Sequence, residues 1–481
     1  MPSRRTFVKR TLTGTAGLAL SGFLGSATAQ AREGAGTRNA AETRRRYLKA
    51  AKQGDLEAVR KALDAHPELV KALDAQGRSG FTLAHLGGHD PVGDFLLERG
   101  YLPDFHEAAL AGDWERVGTL TDAARSPSPD QDHPIGGSAM FAAALGGAGT
   151  DIWRVYAANG HPDVATRGVS ALQAALLFPD LEVAELTAAT LLANAAAPDA
   201  PGKREAPPLH LAASRGSQAI VEILIRRGAN LDALDARGRS AVAVAQSAGH
   251  AGVVELLRRH RQIPRDHNTS REAYDSRGKA YSPRELSGIS PRQRRRVVGS
   301  AHGNLDAVRE AVSRDARLAH SVATTGERAV EAGAHMGRKD IVDYLLEQGA
   351  PYSLPTAVMR GDTGRVRALL DEDPRRIHER GAHDFALLWY PVIGGGNLEI
   401  MQLLLERGAQ VERQHWLGTT ALHWAAMGGL TSMVELLLDH GADVDRPGRK
   451  FGGVAQTPLQ LAQQRERTDV IDILRRRGAG R

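Results

Sequence analysis

The sequence predicts an all-α fold: a solenoid of helix–turn–helix repeats, each about 33 residues long, in two tandem arrays. The first observation is a register of glycines. A Gly-Asp or Gly-Asn pair, with an apolar residue five positions after the glycine, recurs at Gly54, Gly112, Gly303, Gly361 and Gly396. The second observation is an apolar stripe at helical spacing that ends in Gly-Ala, in segments 221–229, 342–350, 400–409 and 434–442. Because glycine suits the left-handed residue after a helix, each segment predicts the second helix of a repeat.

The spacing of related glycines sets the length of the repeat. The interval from Gly54 to Gly88 and the interval from Gly396 to Gly429 both agree with a period of about 33 residues. The intervals 88–112 and 337–361 are equal to each other and shorter than this period by about a quarter. We therefore expect these two units to lack part of the turn that connects neighbouring repeats.

Composition excludes several classes of protein. Of the 481 residues, 42% are hydrophobic and 25% are charged, which is typical of a folded chain and not of a disordered one. The absence of cysteine excludes thiol catalysis, disulfides and cysteine-ligated metal centres. The formal net charge of +6 favours an anionic partner such as nucleic acid only if the excess lies in the folded part.

The segment 1–31 has the features of an export signal. Residues 3–9 read Ser-Arg-Arg-Thr-Phe-Val-Lys, and the apolar stretch 12–24 is shorter than the roughly 20 residues that span a bilayer. Small residues up to Ala29 or Ala31 match a signal-peptidase site. The segment resembles a bacterial twin-arginine signal, the alternative being an ordinary secretory signal. The resemblance implies export of the folded protein to the periplasm or medium, and removal of four basic residues lowers the net charge from +6 to +2.

Short motifs recur at the start of the first helices. They read Pro-Pro-Leu-His-Leu-Ala-Ala at 207–213, Thr-Ala-Leu-His-Trp-Ala-Ala at 420–426 and Thr-Pro-Leu-Gln-Leu-Ala at 457–462. These motifs resemble the T-P-L-H-x-A start of an ankyrin repeat. The resemblance implies paired short helices that stack on their neighbours to form one continuous core. It also implies that His210 and His423 are hydrogen-bonding residues of the motif.

A second level of repetition divides the chain. When position 54 is placed on position 303, a displacement that we call the duplication shift, the glycines at 77, 88, 100 and 112 fall on those at 326, 337, 349 and 361. This indicates a duplication. We predict an export signal at 1–31, a linker at 32–44, a first ankyrin array at 45–264, a basic polar linker at 265–292 and a second array at 293–481.

The region 265–296 carries nine Lys and Arg against four Asp and Glu and ends in Arg294-Arg295-Arg296. One interpretation is a contact with an anionic partner or surface. The other is a solvated linker before a helix, and it is favoured because Arg44-Arg45-Arg46 stands in nearly the same place in the first array. We expect no nucleic-acid partner, since aromatic residues do not alternate with basic ones there.

The sequence contains no recognisable catalytic site. His106-Glu107 begins like the zinc-protease motif H-E-x-x-H, but Leu110 stands at the second ligand position. His85 and His89 are separated by two glycines, which we expect to end the helix between them. Neither a G-x-S-x-G elbow nor a phosphate-binding loop is present. We therefore expect no enzyme activity, no catalytic residue, no metal ligand and no cofactor.

The ankyrin resemblance implies that a partner protein binds to the turns projecting between repeats and to the exposed ends of first helices. The corresponding positions are Arg215, Leu234, Arg237, Arg239, Gln414, Trp416, Leu417 and Met427. Because Trp and Arg are frequent in binding hot spots, an exposed Trp416 is the strongest candidate. The alternative is that Trp416 packs on a neighbouring turn. A second candidate surface is the basic, glycine-rich segment 447–453.

Two functions are compatible with these observations. The favoured one is an exported, non-enzymatic scaffold that holds another periplasmic or secreted protein, with no membrane span after the signal is removed. The alternative is an exported enzyme or cofactor-carrying accessory protein whose site the sequence does not reveal.

Overall fold

The computed structural model describes residues 35–121, 128–164, 169–199, 206–260, 267–268, 286, 288–415, 418–450 and 453–480. The predicted export signal at 1–31 lies outside these residues, and so do the candidate binding residues Trp416 and Leu417. Within the described ranges, no helix combines the length and the apolar character needed to cross a bilayer.

The described chain is built mainly of short α-helices. Those up to residue 258 are α1 Ala35–Gln53, α2 Leu56–Ala65, α3 Gly80–Leu86, α4 Asp90–Glu98, α5 Phe105–Ala111, α6 Trp114–Thr121, α7 Ala139–Leu145, α8 Trp153–Ala157, α9 Ala171–Leu177, α10 Leu181–Ala193, α11 Pro208–Ser214, α12 Gln218–Arg226, α13 Ala241–Ser247 and α14 Ala251–Arg258. Those that follow are α15 Pro291–Ala301, α16 Leu305–Arg314, α17 Ala329–His335, α18 Lys339–Glu347, α19 Leu354–Arg360, α20 Thr363–Glu372, α21 Tyr390–Ile393, α22 Leu398–Glu406, α23 Ala421–Gly428, α24 Thr431–Asp439, α25 Pro458–Gln464 and α26 Thr468–Arg476.

Other regular structure is brief. Single 3₁₀ turns occupy Pro67–Lys71, Gly149–Ile152, Ala316–His320, Pro374–His378, Ala382–Asp384 and Leu387–Trp389. The strands are β1 His267–Asn268, β2 Glu379–Arg380, β3 Gly448–Lys450 and β4 Gly453–Gln456. β1 pairs with β2 in parallel, and β3 pairs with β4 in an antiparallel hairpin. The segment predicted as a basic loop at 447–453 therefore contributes to a hairpin, of which residues 451–452 lie outside the described chain.

The two helices of a repeat bury different amounts of surface. First helices are rich in alanine and almost entirely buried, as residues 139–144 of α7 show. Their small side chains let neighbouring first helices approach closely, and α7 packs between α5 and α9. Second helices bury one face only, as α24 does with Met433, Val434 and Leu437. This one-sided burial is what the apolar stripes predict.

The duplication is visible in the helix boundaries. The duplication shift brings α2, α3, α4 and α5 onto α16, α17, α18 and α19 with the same first and last positions. The two shortened units also agree with the prediction, since only residues 99–104 connect α4 to α5 and only residues 348–353 connect α18 to α19.

The chain forms two compact units. Unit 1 contains the described residues within 1–160, 164–187 and 201–205, and unit 2 contains those within 161–163, 188–200 and 206–481. This division differs from the predicted boundary at the linker 265–292. Within unit 2, residues 206–260 make polar contacts with the predicted second array, among them Arg226 Nη1 with Gln410 Oε1 at 3.0 Å.

Candidate functional site

Three of the predicted binding residues lie on the turn between α12 and α13, which we call the 234–240 turn. Leu234 and Ser240 close it through an antiparallel bridge. Asp235 Oδ1 accepts hydrogen bonds of 2.9 Å from the backbone N–H groups of Arg237 and Arg239, and Oδ2 accepts one of 2.9 Å from Arg239 Nε. Donation from the Arg239 backbone is the main reason that the pKa of Asp235 is lowered to about 2. The turn is thus braced by a charged carboxylate.

The 234–240 turn presents two large side chains, and that of Ala236, to solvent. Leu234 is 59% exposed, and Arg237 is exposed beside it. Arg239 is half-buried and forms an ion pair with Asp235, in which Nη2 and Oδ2 are 2.8 Å apart. An exposed leucine next to an exposed arginine on a rigid turn combines apolar contact with a cationic donor.

The same turn is built once more in unit 1. Leu73 bridges to Ser79, and Leu73 is 47% exposed. Asp74 Oδ1 accepts the backbone N–H groups of Gln76 and Arg78 at 2.9 Å, and Oδ2 accepts Arg78 Nε at 2.7 Å. The repeated Asp-x-x-Gly-Arg-Ser sequence therefore folds into the same braced turn twice.

The remaining predicted binding residues are less exposed. Arg215 follows the last residue of α11 and is half-buried, and Met427 is half-buried in the last turn of α23. Gln414 is half-buried, with its Nε2 donating to the backbone O of Gly418 at 3.1 Å. Trp153, which the sequence analysis did not select, is 56% exposed at the start of α8.

The motif histidines have the structural role that the repeat motif implies. His210 Nε2 lies 2.9 Å from the backbone O of Arg239, on the turn of the next repeat. His423 Nδ1 accepts the backbone N–H of Thr420 at 3.1 Å. Glu107, the acid of the incomplete zinc-protease motif, accepts Thr82 Oγ1 at 2.6 Å. These contacts give the three residues a structural, hydrogen-bonding role.

Unit 2 also contains a cluster of titratable side chains that the sequence does not predict. We call His302, Glu327, His335 and His383 the His3Glu cluster, since one nitrogen or oxygen atom of each lies within 4.8 Å of all the others. Glu327 is at its centre. Its Oε1 lies 3.0 Å from His335 Nδ1 and 3.5 Å from His302 Nε2, and its Oε2 lies 3.2 Å from His383 Nε2.

Four different elements supply the His3Glu cluster. His302 follows α15, and His335 is the last residue of α17. Glu327 lies on the turn before α17, which is closed by a bridge between Val322 and Arg328. His383 is the middle residue of the 3₁₀ turn Ala382–Asp384. No short sequence motif joins these positions, so the sequence alone does not predict that the four residues lie together.

Oxygen atoms outside the cluster contact all three histidines. His335 Nδ1, which faces Glu327, also lies 3.1 Å from the backbone O of Glu331. His302 Nδ1 lies 3.0 Å from the backbone O of Val298, and His383 Nδ1 lies 2.6 Å from Asn194 Oδ1. Since these oxygens are acceptors, Nδ1 of each of these two rings carries a proton, and Nε2 is the ring nitrogen that faces Glu327. Asn194 is itself held, because its Nδ2 donates to the Thr190 backbone O at 2.7 Å.

The interior of the His3Glu cluster is strongly charged. Burial tends to raise the pKa of Glu327, but the charges of His383 and His335 lower it well below its usual range. Burial lowers the pKa of His335. Burial opposes the charge of His383 as well, yet Glu327 raises its pKa. Without a bound ion, the arrangement is a buried Glu327–His383 ion pair with two further histidines beside it.

An adjacent ion pair fixes the segment that carries His383. Asp384 Oδ1 lies 2.5 Å from Arg227 Nη2 and 2.9 Å from Arg380 Nε, and all three residues are buried. Burial opposes ionisation of Asp384, but the two arginines hold its pKa far below the usual range. Asp384 and His383 both have positive φ, at 65° and 53°. The surrounding contacts therefore stabilise a backbone conformation that is uncommon for non-glycine residues.

Comparison with known proteins agrees with the repeat geometry. A family model described as ankyrin repeats (three copies) matches residues 185–269 and 388–480. The chain carries ankyrin repeats. Its fold is accordingly the ankyrin-repeat fold, as the sequence predicts. The residues of the His3Glu cluster all fall between the two matched ranges of the ankyrin family.

Individual relatives share only part of the chain. Human Rabankyrin-5 is 46% identical and mouse Rabankyrin-5 is 48% identical, each over 56 residues. These alignments cover 12% of this chain and 5% of each relative. The crystal structure of the human ASB11 ankyrin repeat domain is 21% identical, and its alignment covers 56% of this chain and 97% of that domain with a TM-score of 0.24.

Proposed function

We propose that the chain is an exported, non-enzymatic ankyrin-repeat protein that holds a second protein through its projecting turns. Ankyrin repeats generally mediate protein–protein interaction, and this supports the class of function. The observation that carries the proposal is the 234–240 turn, where Leu234 and Arg237 are exposed on a backbone that Asp235 holds in place. A pre-ordered turn loses little conformational entropy on binding, so exposed side chains on it suit a binding surface.

Site-specific photo-cross-linking tests this function in the exporting cell. A photoreactive amino acid replaces Leu234 in one variant and Glu435, on the exposed face of α24, in the control. We expect a discrete covalent adduct with one protein at position 234 and none at position 435. The same adducts from both positions, or no discrete adduct at 234, would contradict binding through this turn.

Export is part of the proposal and rests on residues 3–9. Substitution of Arg4 and Arg5 by lysine removes the paired arginines and keeps the charge. We expect the variant to accumulate in the cytoplasm with its N-terminus uncleaved, measured by cell fractionation and mass spectrometry. Unchanged export of the variant would support an ordinary secretory signal instead.

A further inference from the structure

The His3Glu cluster contains the ligand types of a metal centre. We propose that His302, Glu327, His335 and His383 bind one divalent transition-metal ion of the zinc class. Three imidazoles and one carboxylate are the nitrogen and oxygen ligands that Zn²⁺ and Co²⁺ accept, and the chain has no cysteine to offer a softer site. Four protein ligands complete a tetrahedral shell, so the site is of the structural kind and not of the open, catalytic kind.

The distances fit this assignment. Bonds of about 2.0–2.1 Å at tetrahedral angles place neighbouring ligand atoms about 3.3 Å apart. The separations between Glu327 oxygens and histidine nitrogens are 3.0, 3.2 and 3.5 Å. The ligand atoms of the cluster all lie within 4.8 Å of one another. Side-chain movements of about 1 Å therefore bring all four atoms onto one ion.

The outer contacts are those of a metal site. Histidines that bind metals almost always donate their second ring N–H to an oxygen, which fixes the ring and the tautomer. His302 and His383 make this contact with Val298 O and Asn194 Oδ1. His335 differs, because the Nδ1 that faces Glu327 also lies 3.1 Å from the backbone O of Glu331, so this ring must rotate to turn a lone pair to the ion. Glu327 Oε1 is buried, yet the described residues offer it no well-aligned hydrogen-bond donor. An ion between the ligands would satisfy that oxygen.

Repeat packing does not account for the cluster. Under the duplication shift, His302, Glu327 and His335 correspond to Gln53, Arg78 and Leu86 in the first array. The first array therefore forms the equivalent helices α2–α5 without any of these ligands. The cluster is a feature of the second array alone among the described residues, which points to a ligand and not to the fold.

An ion can reach the site from the side of His302. The His302 side chain is 35% exposed, whereas that of Glu327 is 4% exposed. The position of His383 depends on its contact with Asn194 and on the ion pair of the next residue, Asp384, and not on the packing of repeat helices. The alternative is that no ion binds and that Glu327 and His383 form an ion pair. Metal titration distinguishes an ion site from this ion pair.

Titration with Co²⁺ is the direct test. The mature chain, residues 32–481, is treated with a chelator, titrated with Co²⁺ and then with Zn²⁺. We expect one equivalent of Co²⁺ to produce the intense visible absorption of a four-coordinate ion, one equivalent of Zn²⁺ to abolish it, and Zn²⁺ to raise the melting temperature. A wild-type protein that shows no such spectrum and no zinc-dependent melting shift would overturn the proposal.

Three variants assign the ion to the cluster. Glu327→Gln keeps the shape of the side chain and removes the central charge, and we expect the Kd for Zn²⁺ to rise at least 100-fold. Asn194→Ala removes only an outer contact, and we expect a 10- to 100-fold rise. The control His440→Ala removes an exposed histidine that follows α24 and should leave the Kd unchanged.

The variants also cover a failure to fold. Circular dichroism of each metal-free variant checks that its helix content equals that of the wild type. If Glu327→Gln does not fold, the Asn194→Ala variant and the wild-type cobalt spectrum still test whether an ion binds at the His3Glu cluster. Zinc binding at wild-type strength in both Glu327→Gln and Asn194→Ala would place the ion elsewhere and contradict the assignment.

Discussion

Position 327 and its equivalent in the first array show how a single residue changes the polar contacts of a turn without changing its backbone. In the first array Arg78 pairs with Asp74, with Nη2 and Oδ2 2.6 Å apart, and the pair braces its turn. In the second array the same two positions hold Glu327 and Ala323. The brace is lost, and the carboxylate faces histidines that have no counterpart in the first array. We infer that the two arrays kept one backbone and acquired different polar interiors.

Two buried histidines, His106 and His423, make the stability depend on pH. Burial, followed by the charge of His133, lowers the pKa of His106 to about 4, and burial lowers the pKa of His423 to about 4. In the unfolded chain both titrate near 6.5. A histidine with a lowered folded pKa contributes stability above pH 6.5 and loses it as the pH falls. At pH 5 the expected loss is about 2 kcal/mol for each histidine.

Thermal unfolding between pH 7.5 and pH 5 checks this expectation. We expect the melting temperature to fall with pH in the wild type and to fall less in His423→Gln. Glutamine is a suitable replacement because Gln460 accepts the Thr457 backbone N–H at 2.9 Å in the corresponding position of another repeat. An identical pH dependence in wild type and variant would show that His423 is not the neutral, buried group described here.

At the scale of the helix pair, close approach of neighbouring first helices restricts the residue that follows two of them to glycine. A Cβ atom added to Gly146, after α7, would lie 2.0 Å from the backbone O of Leu110 at the end of α5. Gly394, after α21, has the same relation to the backbone O of Met359, at 2.3 Å. Both glycines thus serve the turns between helices.

Gly146→Ala should therefore destabilise unit 1. The methyl group meets backbone that cannot move away, and we expect a loss of about 1–3 kcal/mol in the free energy of unfolding. The matched control is Gly118→Ala in α6, where a Cβ atom meets nothing within 4 Å. Since alanine is the better helix former, the control should be neutral or stabilising by up to about 1 kcal/mol. Urea denaturation measures both, and equal effects of the two substitutions would contradict the packing described.

The sequence predicts the elements well because their periodicity is local. The Gly-Ala ends, the apolar stripes and the two shortened units all reappear as helix boundaries and short connections. The sequence also selects the 234–240 turn, whose exposed Leu234 follows from its place between two helices. The His3Glu cluster could not be predicted in this way. Its ligands are spread from 302 to 383, and the last depends on a turn with positive φ that no repeat signal marks.

At the scale of the whole molecule, the compact units do not coincide with the duplicated arrays. Residues 206–260 belong to the predicted first array but lie in unit 2. The ion pair of Arg227 with Asp384 and the hydrogen bond of Arg226 with Gln410 join this segment to the second array. We expect these polar contacts, and not the duplication seen in the sequence, to determine which residues unfold together.

Asp384→Ala tests this coupling inside unit 2. The substitution leaves Arg227 and Arg380 buried without their shared carboxylate, and loss of one member of a buried ion pair costs about 3–5 kcal/mol. We expect faster hydrogen exchange in α11–α14 as well as around residue 380, measured by mass spectrometry. Asp439→Ala, which removes an exposed ion pair with Arg477, is the control and should change exchange little. Faster exchange near residue 380 alone would show that residues 206–260 unfold independently.

The proposed binding of a protein partner at the 234–240 turn is measured with the isolated partner. The protein cross-linked at position 234 is purified, and its Kd for the mature chain is measured by isothermal titration calorimetry. Leu234→Asp with Arg237→Glu replaces the apolar contact and reverses the charge on an exposed turn, so we expect at least a 10-fold rise in Kd and an unchanged melting temperature. An unchanged Kd in this double variant would contradict binding of the partner at the 234–240 turn.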